Sequence, residues 1–257
     1  MKWTGERLVT QVNEYYTYEH LHRYFFAMDF VEAKAVLDVA SGEGYGTFLM
    51  AAKAESVVGI DIDPAATEHA GNKYRQENVS FDTADICQLP FGPDTFDVIT
   101  CFETIEHLTA HEAALDSLKR VLKPGGILLI STPDSESTHH LASRGRNPYH
   151  PKELNLAELT ELLEKRFKHL SILYQKTINA SVMVNAKSEK SNLTEYRGDF
   201  KGFTSHNPVD QAQYFVAVCS DEQIGVQLNN SLVTYNSTKK SLIEKIVFRV
   251  KNSFRQT

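Results

Sequence analysis

Cysteine is scarce in this sequence: three residues in 257, Cys87, Cys101 and Cys219, widely spaced and odd in number. That excludes a disulfide framework and matches no zinc-ligand spacing, which points to a reducing cytosol and leaves no metal site expected. No run of 18 apolar residues occurs, so no membrane-crossing helix is expected. The first residues, Met1-Lys2-Trp3-Thr4-Gly5-Glu6-Arg7, lack an apolar stretch, so no secretory leader is expected either. Basic residues are outnumbered, 27 against 33 acids for a net charge of -6, whereas nucleic-acid binders carry a basic footprint. No nucleic-acid partner is expected. What is present is a 42% hydrophobic share, enough for a sizeable core, at a length that fits one large domain or two small ones.

Short apolar runs alternate with helical stretches from Ala35 onward. Ala35–Val39, Val57–Ile60, a run opening at Val79, Phe96–Cys101 and Ile127–Ile130 read as strands. Helices are expected over about 47–53, 65–76 and 111–122, and Lys123-Pro124-Gly125-Gly126 stops the last of them. This alternation predicts an α/β sheet with right-handed crossovers. A helix over 151–167, a strand near 171–175 and a closing strand over 213–219 follow, with 176–210 reading as an insertion. The chain therefore divides into an aromatic N-terminal arm (1–34), a main domain (35–220) and a C-terminal tail (221–257).

Chemistry concentrates at Asp38-Val39-Ala40-Ser41-Gly42-Glu43-Gly44-Tyr45-Gly46, a strand running into a glycine-rich turn and a helix. Glycine lets the backbone turn tightly and approach a ligand. The dinucleotide fingerprint G-x-G-x-x-G fails, because Thr47 stands at its third glycine, and no Walker lysine follows. The second strand ends at Asp61, placed to accept hydrogen bonds from ribose hydroxyls. The third ends at Asp85 beside Ile86, suited to an adenine amino group, and the fourth at Phe102-Glu103-Thr104-Ile105-Glu106-His107. Asp63, before Pro64, reads as a helix cap, Asp38 as an anchor for the glycine turn, and Asp97 as structural.

Taken in order, D-V-A-S-G-E-G-Y-G, G-I-D-I-D, A-D-I, F-D-V-I-T-C-F-E-T-I-E-H-L and L-K-P-G-G resemble a class I S-adenosylmethionine-dependent methyltransferase over roughly residues 35–132. The resemblance implies a Rossmann-like seven-stranded sheet, order 3-2-1-4-5-7-6 with strand seven antiparallel, and helices on both faces. It implies S-adenosylmethionine as cofactor and S-adenosylhomocysteine as product. Gly42, Gly44 and their neighbours Ala40 and Tyr45 would hold the methionine part, and Asp61 with Ile62 the ribose. Asp85 with Ala84 and Ile86 would hold the adenine, while Phe102 and Glu103 line the sulfonium side.

Ligands of open parallel sheets sit at the carboxyl ends of the strands, which brings His107 and the loop ending in Asn147-Pro148-Tyr149-His150 toward the reacting methyl. A hydroxyl acceptor must lose a proton, and histidine suits that near neutral pH. His107 and His150 are the candidate bases, each equally readable as a plain loop residue. In the arm, Glu19 and Arg23 stand at i and i+4, a spacing for an ion pair worth a few tenths of a kcal/mol. Alternatively Arg23 grips the methionine carboxylate with its two-pronged guanidinium.

The arm motifs T-G-E-R and E-H-L-H-R-Y-F-F-A are similar to methyltransferases encoded with bacterial surface-glycan enzymes, where this arm caps the cofactor. That similarity implies O-methylation of a sugar hydroxyl on a nucleotide sugar or glycan, in polysaccharide biosynthesis. A quinone-type phenol, another small natural product, or a catalytically silent partner subunit are the alternatives. From Lys239 to Thr257 six basic residues face one acid, with Ile243, Ile246, Val247, Val250 and Phe254 on one helical face. Such a tail suits an anionic membrane surface, its own domain or a second copy in a homodimer, so a cytoplasmic, membrane-peripheral location is expected.

Overall fold

Five apolar runs build the parallel half of the sheet. β1 (Ala35–Val39), β2 (Ser56–Asp61), β3 (Val79–Thr83), β4 (Phe96–Phe102) and β5 (Leu122–Pro133) lie in the order β3-β2-β1-β4-β5, every neighbour parallel. β1 and β4 are buried over nearly their whole length, as central parallel strands must be. The computed structural model describes residues 16–137, 147, 149–177, 180–185, 195–199, 202–206 and 212–234. Among these, no helix is long and apolar enough to cross a membrane.

Beyond β5 the expected order 3-2-1-4-5-7-6 holds, with an antiparallel strand in the seventh place, and the sheet departs from expectation only past its sixth strand. β10 (Tyr214–Ser220) lies antiparallel between β5 and β6 (His169–Thr177), and two further strands extend the far edge: β7 (Ala180–Asn185) and β11 (Ser231–Thr234). Among the described residues the sheet thus has nine strands rather than seven, in the order β11-β7-β6-β10-β5-β4-β1-β2-β3. The cause lies in the segment read as an insertion. Its first part, β7, pairs antiparallel with β6, and β8 (Glu195–Asp199) with β9 (Gly202–His206) forms a separate two-stranded sheet. β11 comes instead from the segment read as the tail, whose residues 231–234 join the main sheet on β7. The basic amphipathic segment expected from Lys239 onward lies outside the described residues, as do the arm residues before Tyr16.

Helices cover both faces because successive strand residues point opposite ways. Leu37, Ile99, Leu128 and Ile130 pack with Leu115 and Leu118 of α4 (His111–Val121) and Leu159 and Leu163 of α5 (Leu156–Glu164). Val36, Val98 and Leu129 pack on the other side with Leu21 and Phe26 of α1 (Tyr16–Ala27) and with Phe48 and Leu49 of α2 (Tyr45–Met50). α3 (Pro64–Lys73) opens as expected, with the Asp63 carboxylate accepting the Ala65 N–H at 2.9 Å and Pro64 in the first turn. α5 starts later than the sequence suggests, because Asn155 and Glu158 close a reciprocal capping box that fixes its first residue.

The described part of the arm is a packed helix, with Leu21, Arg23 and Ala27 fully buried. Its Tyr24 ring meets Tyr45 and Phe102 edge-on at 5.5 and 5.3 Å, and its face lies over Gly46. A Cβ at Gly46 would fall 2.0 Å from that boxed-in ring, so only glycine fits although α2 is regular there. Gly46→Ala should cost about 1–3 kcal/mol, as overpacking in cores does. Urea unfolding checks this; stability equal to wild type would mean that Tyr24 is free to move aside.

Candidate functional site

A cleft of about 450 Å³ opens over the carboxyl ends of the parallel strands. Its floor is the turn between β1 and α2. There Ala40, Gly42 and Gly44 all have positive φ (54°, 57° and 89°), and the turn is pinned by Ser41 N–H to the Ile60 carbonyl at 2.8 Å. Ala40, Gly42 and Tyr45 line the cleft. Gly44 does not; its α-carbon faces Ala70 and Phe81, where an added Cβ would sit 2.8 Å from either. Its need for glycine is conformational and steric, not ligand approach.

Asp61 at the tip of β2 lines the cleft, and its carboxylate accepts the Gly42 and Asp63 N–H groups, both at 3.0 Å. The acid expected at the ribose therefore also ties the glycine turn to β2. Ile62 beside it is 72% exposed, an apolar wall on the cleft rim. Ala84, Asp85 and Ile86 form the next stretch of wall, with Asp85 accepting the Cys87 N–H at 2.9 Å. At the end of β4, Phe102 and Glu103 complete it. Glu103 has φ 49°, a left-handed conformation that costs a non-glycine residue about 1–3 kcal/mol and tends to cluster at functional sites.

Asp38 does anchor the turn, though mainly through hydroxyls: Thr47 at 2.6 Å, Thr100 at 2.7 Å and Tyr24 at 3.2 Å donate to it. Burial nevertheless pushes its carboxyl up to about 6, against the hydroxyl bonds that favour the charged form. A carboxyl whose folded value exceeds its unfolded one stabilises the fold at low pH and loses that contribution as pH rises through the folded value. Relative to Asp38→Asn, wild type should lose about 2 kcal/mol of stability between pH 4 and pH 7. Paired unfolding curves at the two pH values test this; a constant gap would refute the shift.

Arg23 is fully buried and is not on the cleft wall. Its Nε donates to Gln175 Oε1 at 2.8 Å, its guanidinium lies 4.4 Å from the Tyr214 ring centroid, and Nη2 is 3.5 Å from Glu103. Glu19 does not pair with it along the helix; it accepts instead from Thr177 and Tyr214, both at 2.8 Å. Both terminal nitrogens of Arg23 lack a hydrogen-bond partner among the described residues, as does the buried Ser41 hydroxyl. His20, on the cleft wall, is held neutral, lowered to about 3 by burial and by Arg23. Burial raises Glu103, and raises Glu106 further because Glu103 adds its charge.

The two histidines expected at the acceptor side meet. His107 lines the cleft, and the His150 ring stands edge-on to it at 4.7 Å. His107 Nδ1 donates to the Tyr149 carbonyl at 3.0 Å, and His150 Nδ1 lies 2.6 Å from Glu153. Asp97 proves structural, accepting from Ala35 N–H and Lys123 Nζ at the opposite end of the sheet. Sequence reasoning missed Ser41, Thr104 and Leu108 on the wall and Glu153 behind His150. Only Glu153 left a signal, standing three residues after a histidine that already drew notice.

Residues 31–198 match the model of a family described as a methyltransferase domain. The chain belongs to the methyltransferase-domain family. It is 36% identical over 163 residues to a probable S-adenosylmethionine-dependent methyltransferase of Mycolicibacterium smegmatis, the match covering 63% of each chain. It is 29% identical over 142 residues to the ubiquinone biosynthesis O-methyltransferase of Coxiella burnetii, covering 48% of this chain and 61% of that one. Each match spans less than two thirds of the relative's length. Its fold is shared with the YcgJ protein of Bacillus subtilis, at TM-score 0.56 and 20% identity, covering 79% of this chain and 100% of that one.

Membership in this methyltransferase family implies S-adenosylmethionine as the cofactor. The residues fit it. An acid ends β2, a second acid flanked by Ala84 and Ile86 follows β3, and the Ser41 hydroxyl on the wall, without a hydrogen-bond partner among the described residues, suits a carboxylate.

Proposed function

We propose that this member of the methyltransferase-domain family is an S-adenosylmethionine-dependent O-methyltransferase acting on a hydroxyl. The observation that carries the reading is the His107–His150 pair at the mouth of a cleft whose wall ends in Asp61, Asp85 and Glu103. When bound, S-adenosylmethionine supplies a methyl on a sulfonium, an excellent leaving group. What remains for the chain is alignment, desolvation and proton removal. Asp61 holds the ribose hydroxyls and Asp85 the adenine amino group. The glycine turn with Ala40 and Tyr45 holds the methionine backbone, with Arg23 supplying charge for its carboxylate. Phe102 and Tyr24 keep water from the sulfonium side. The acceptor's proton goes to the histidine pair, His107 on the cleft wall and His150 edge-on to it with its ring fixed by Glu153.

For the acceptor we place a sugar hydroxyl on a nucleotide sugar or glycan first, because the arm motifs are similar to those of methyltransferases encoded with surface-glycan enzymes. A quinone-type phenol comes second, favoured by the Coxiella burnetii relative. The basic segment from Lys239 fits either delivery to a lipid-linked acceptor or contact with a second subunit. The test is incorporation of labelled methyl into nucleotide sugars, glycans and polyprenylated phenols, alongside calorimetry with S-adenosylmethionine. Binding without transfer to any hydroxyl would overturn the O-methyltransferase reading; no binding would make the chain a silent partner subunit.

A further inference from the structure

We propose that Glu106, His107 and His150 form a binding site for one divalent transition-metal cation at the mouth of the cleft, through which an oxygen of the acceptor is held. The inference rests on the hydroxyl-acceptor reading above, keeping its acceptor and replacing the imidazole with a cation as the group that eases loss of the hydroxyl proton. One ligand atom from each of the three side chains lies within 4.8 Å of the others. Two imidazoles and one carboxylate are the donor set that favours zinc, cobalt or iron over magnesium, and it leaves coordination positions for an oxygen ligand.

Three features separate this cluster from a chance meeting of side chains. The first is the outer shell. Each histidine has one ring nitrogen oriented by an oxygen, His107 Nδ1 by the Tyr149 carbonyl and His150 Nδ1 by Glu153, so the Nε2 lone pairs are the ones set for a ligand. This is the arrangement by which metal-binding imidazoles are held in tautomer and direction. The second is Glu106, 1% exposed, whose hydrogen bond from Thr132 is long at 3.4 Å. Burial makes the charged form of this carboxyl costly, and a coordinated cation would offset that cost. The third is position: His107 lines the cleft, so the cluster adjoins it.

Closing the site needs modest movement. Ligand bonds of about 2.0–2.1 Å at tetrahedral angles put donor atoms roughly 3.4 Å apart, and the three donors now lie within 4.8 Å of one another. Asn147 Nδ2, now 3.0 Å from His150 Nε2, is the contact displaced. With their lone pairs on the cation, the imidazoles no longer take the proton. The coordinated hydroxyl, acidified as metal-bound water is, gives its proton to solvent.

The experiment uses the full chain, freed of metal by chelator and titrated with cobalt(II), whose visible absorption bands report coordination geometry. One cobalt per chain with intense visible bands is expected. His107→Ala and His150→Ala should each weaken binding beyond the ~10–100-fold that loss of an outer-shell partner costs, and Glu153→Gln should fall within that range. Calorimetry with S-adenosylmethionine on His150→Ala, together with circular dichroism, separates loss of the cation site from loss of the fold. Absent bands, or bands that persist in the double histidine variant, overturn the site. Methyl transfer undiminished in chelator with no cobalt binding would remove the cation and leave the O-methyltransferase reading intact. Cobalt binding to a chain that binds no S-adenosylmethionine would do the reverse.

Discussion

Asp61→Ala should weaken S-adenosylmethionine binding by about 10- to 150-fold, the ~1.5–3 kcal/mol carried by a hydrogen bond to a charged group. The carboxylate is the charged group at the tip of β2, facing a cleft sized for a nucleoside. Its second task enlarges the effect. Without the carboxylate, the Gly42 and Asp63 N–H groups lose their acceptor, and the glycine turn is no longer tied to β2. A stability loss of about 1–3 kcal/mol should accompany the affinity loss, from leaving such donors unsatisfied. Calorimetry for affinity and denaturant unfolding for stability read the two effects separately. Unchanged affinity in a folded variant would end the ribose assignment.

His150→Ala should lower turnover by about 10²–10⁴-fold, the range that a positioned acid or base contributes, with little change in S-adenosylmethionine affinity. The split follows from geometry, because His150 meets His107 edge-on and is not among the residues lining the cleft with Asp61 and Asp85. Glu153→Gln should lie between wild type and this variant, since it loosens the ring without deleting it. The prediction holds whether the imidazole takes a proton or binds a cation, and the pH profile separates those cases. If turnover with a true acceptor stayed at the wild-type value, His150 would have no chemical role, and His107 would be the remaining candidate.

The glycine turn, the acids ending β2 and β3 and the cap at Asp63 were legible because each is a local pattern, a strand, a turn and a helix start within a dozen residues. The polar cluster around Arg23 was not. Its partner Gln175 is 152 residues away, and Glu19 reaches Thr177 and Tyr214 across 158 and 195 residues. Side chains meeting over such separations leave no period in the sequence. A helical spacing instead suggested Glu19 with Arg23, a pair worth less than the buried hydroxyl bonds that replace it. The strands added past β6 were missed for a related reason. β11 is a four-residue edge strand and part-exposed, so its alternation is weak and its neighbour β7 fixes it. β7 itself is largely buried, with β11 covering its outer side. Both histidines were visible one by one, but their meeting depends on where the segment before α5 returns to the sheet.

The slot that β10 occupies between β5 and β6 sets an order of assembly. Residues 122–133 and 169–177 leave the ribosome well before residues 214–220, yet they cannot be joined until the later strand slides between them. Until then β5 and β6 each carry an open row of backbone donors and acceptors along an apolar edge, a template for pairing with the wrong chain. Such long-range closure is slow, and the half-built sheet is the species most exposed to aggregation or to capture by a chaperone during synthesis. β10, buried at every residue, thus governs the yield of folded protein as much as its final stability.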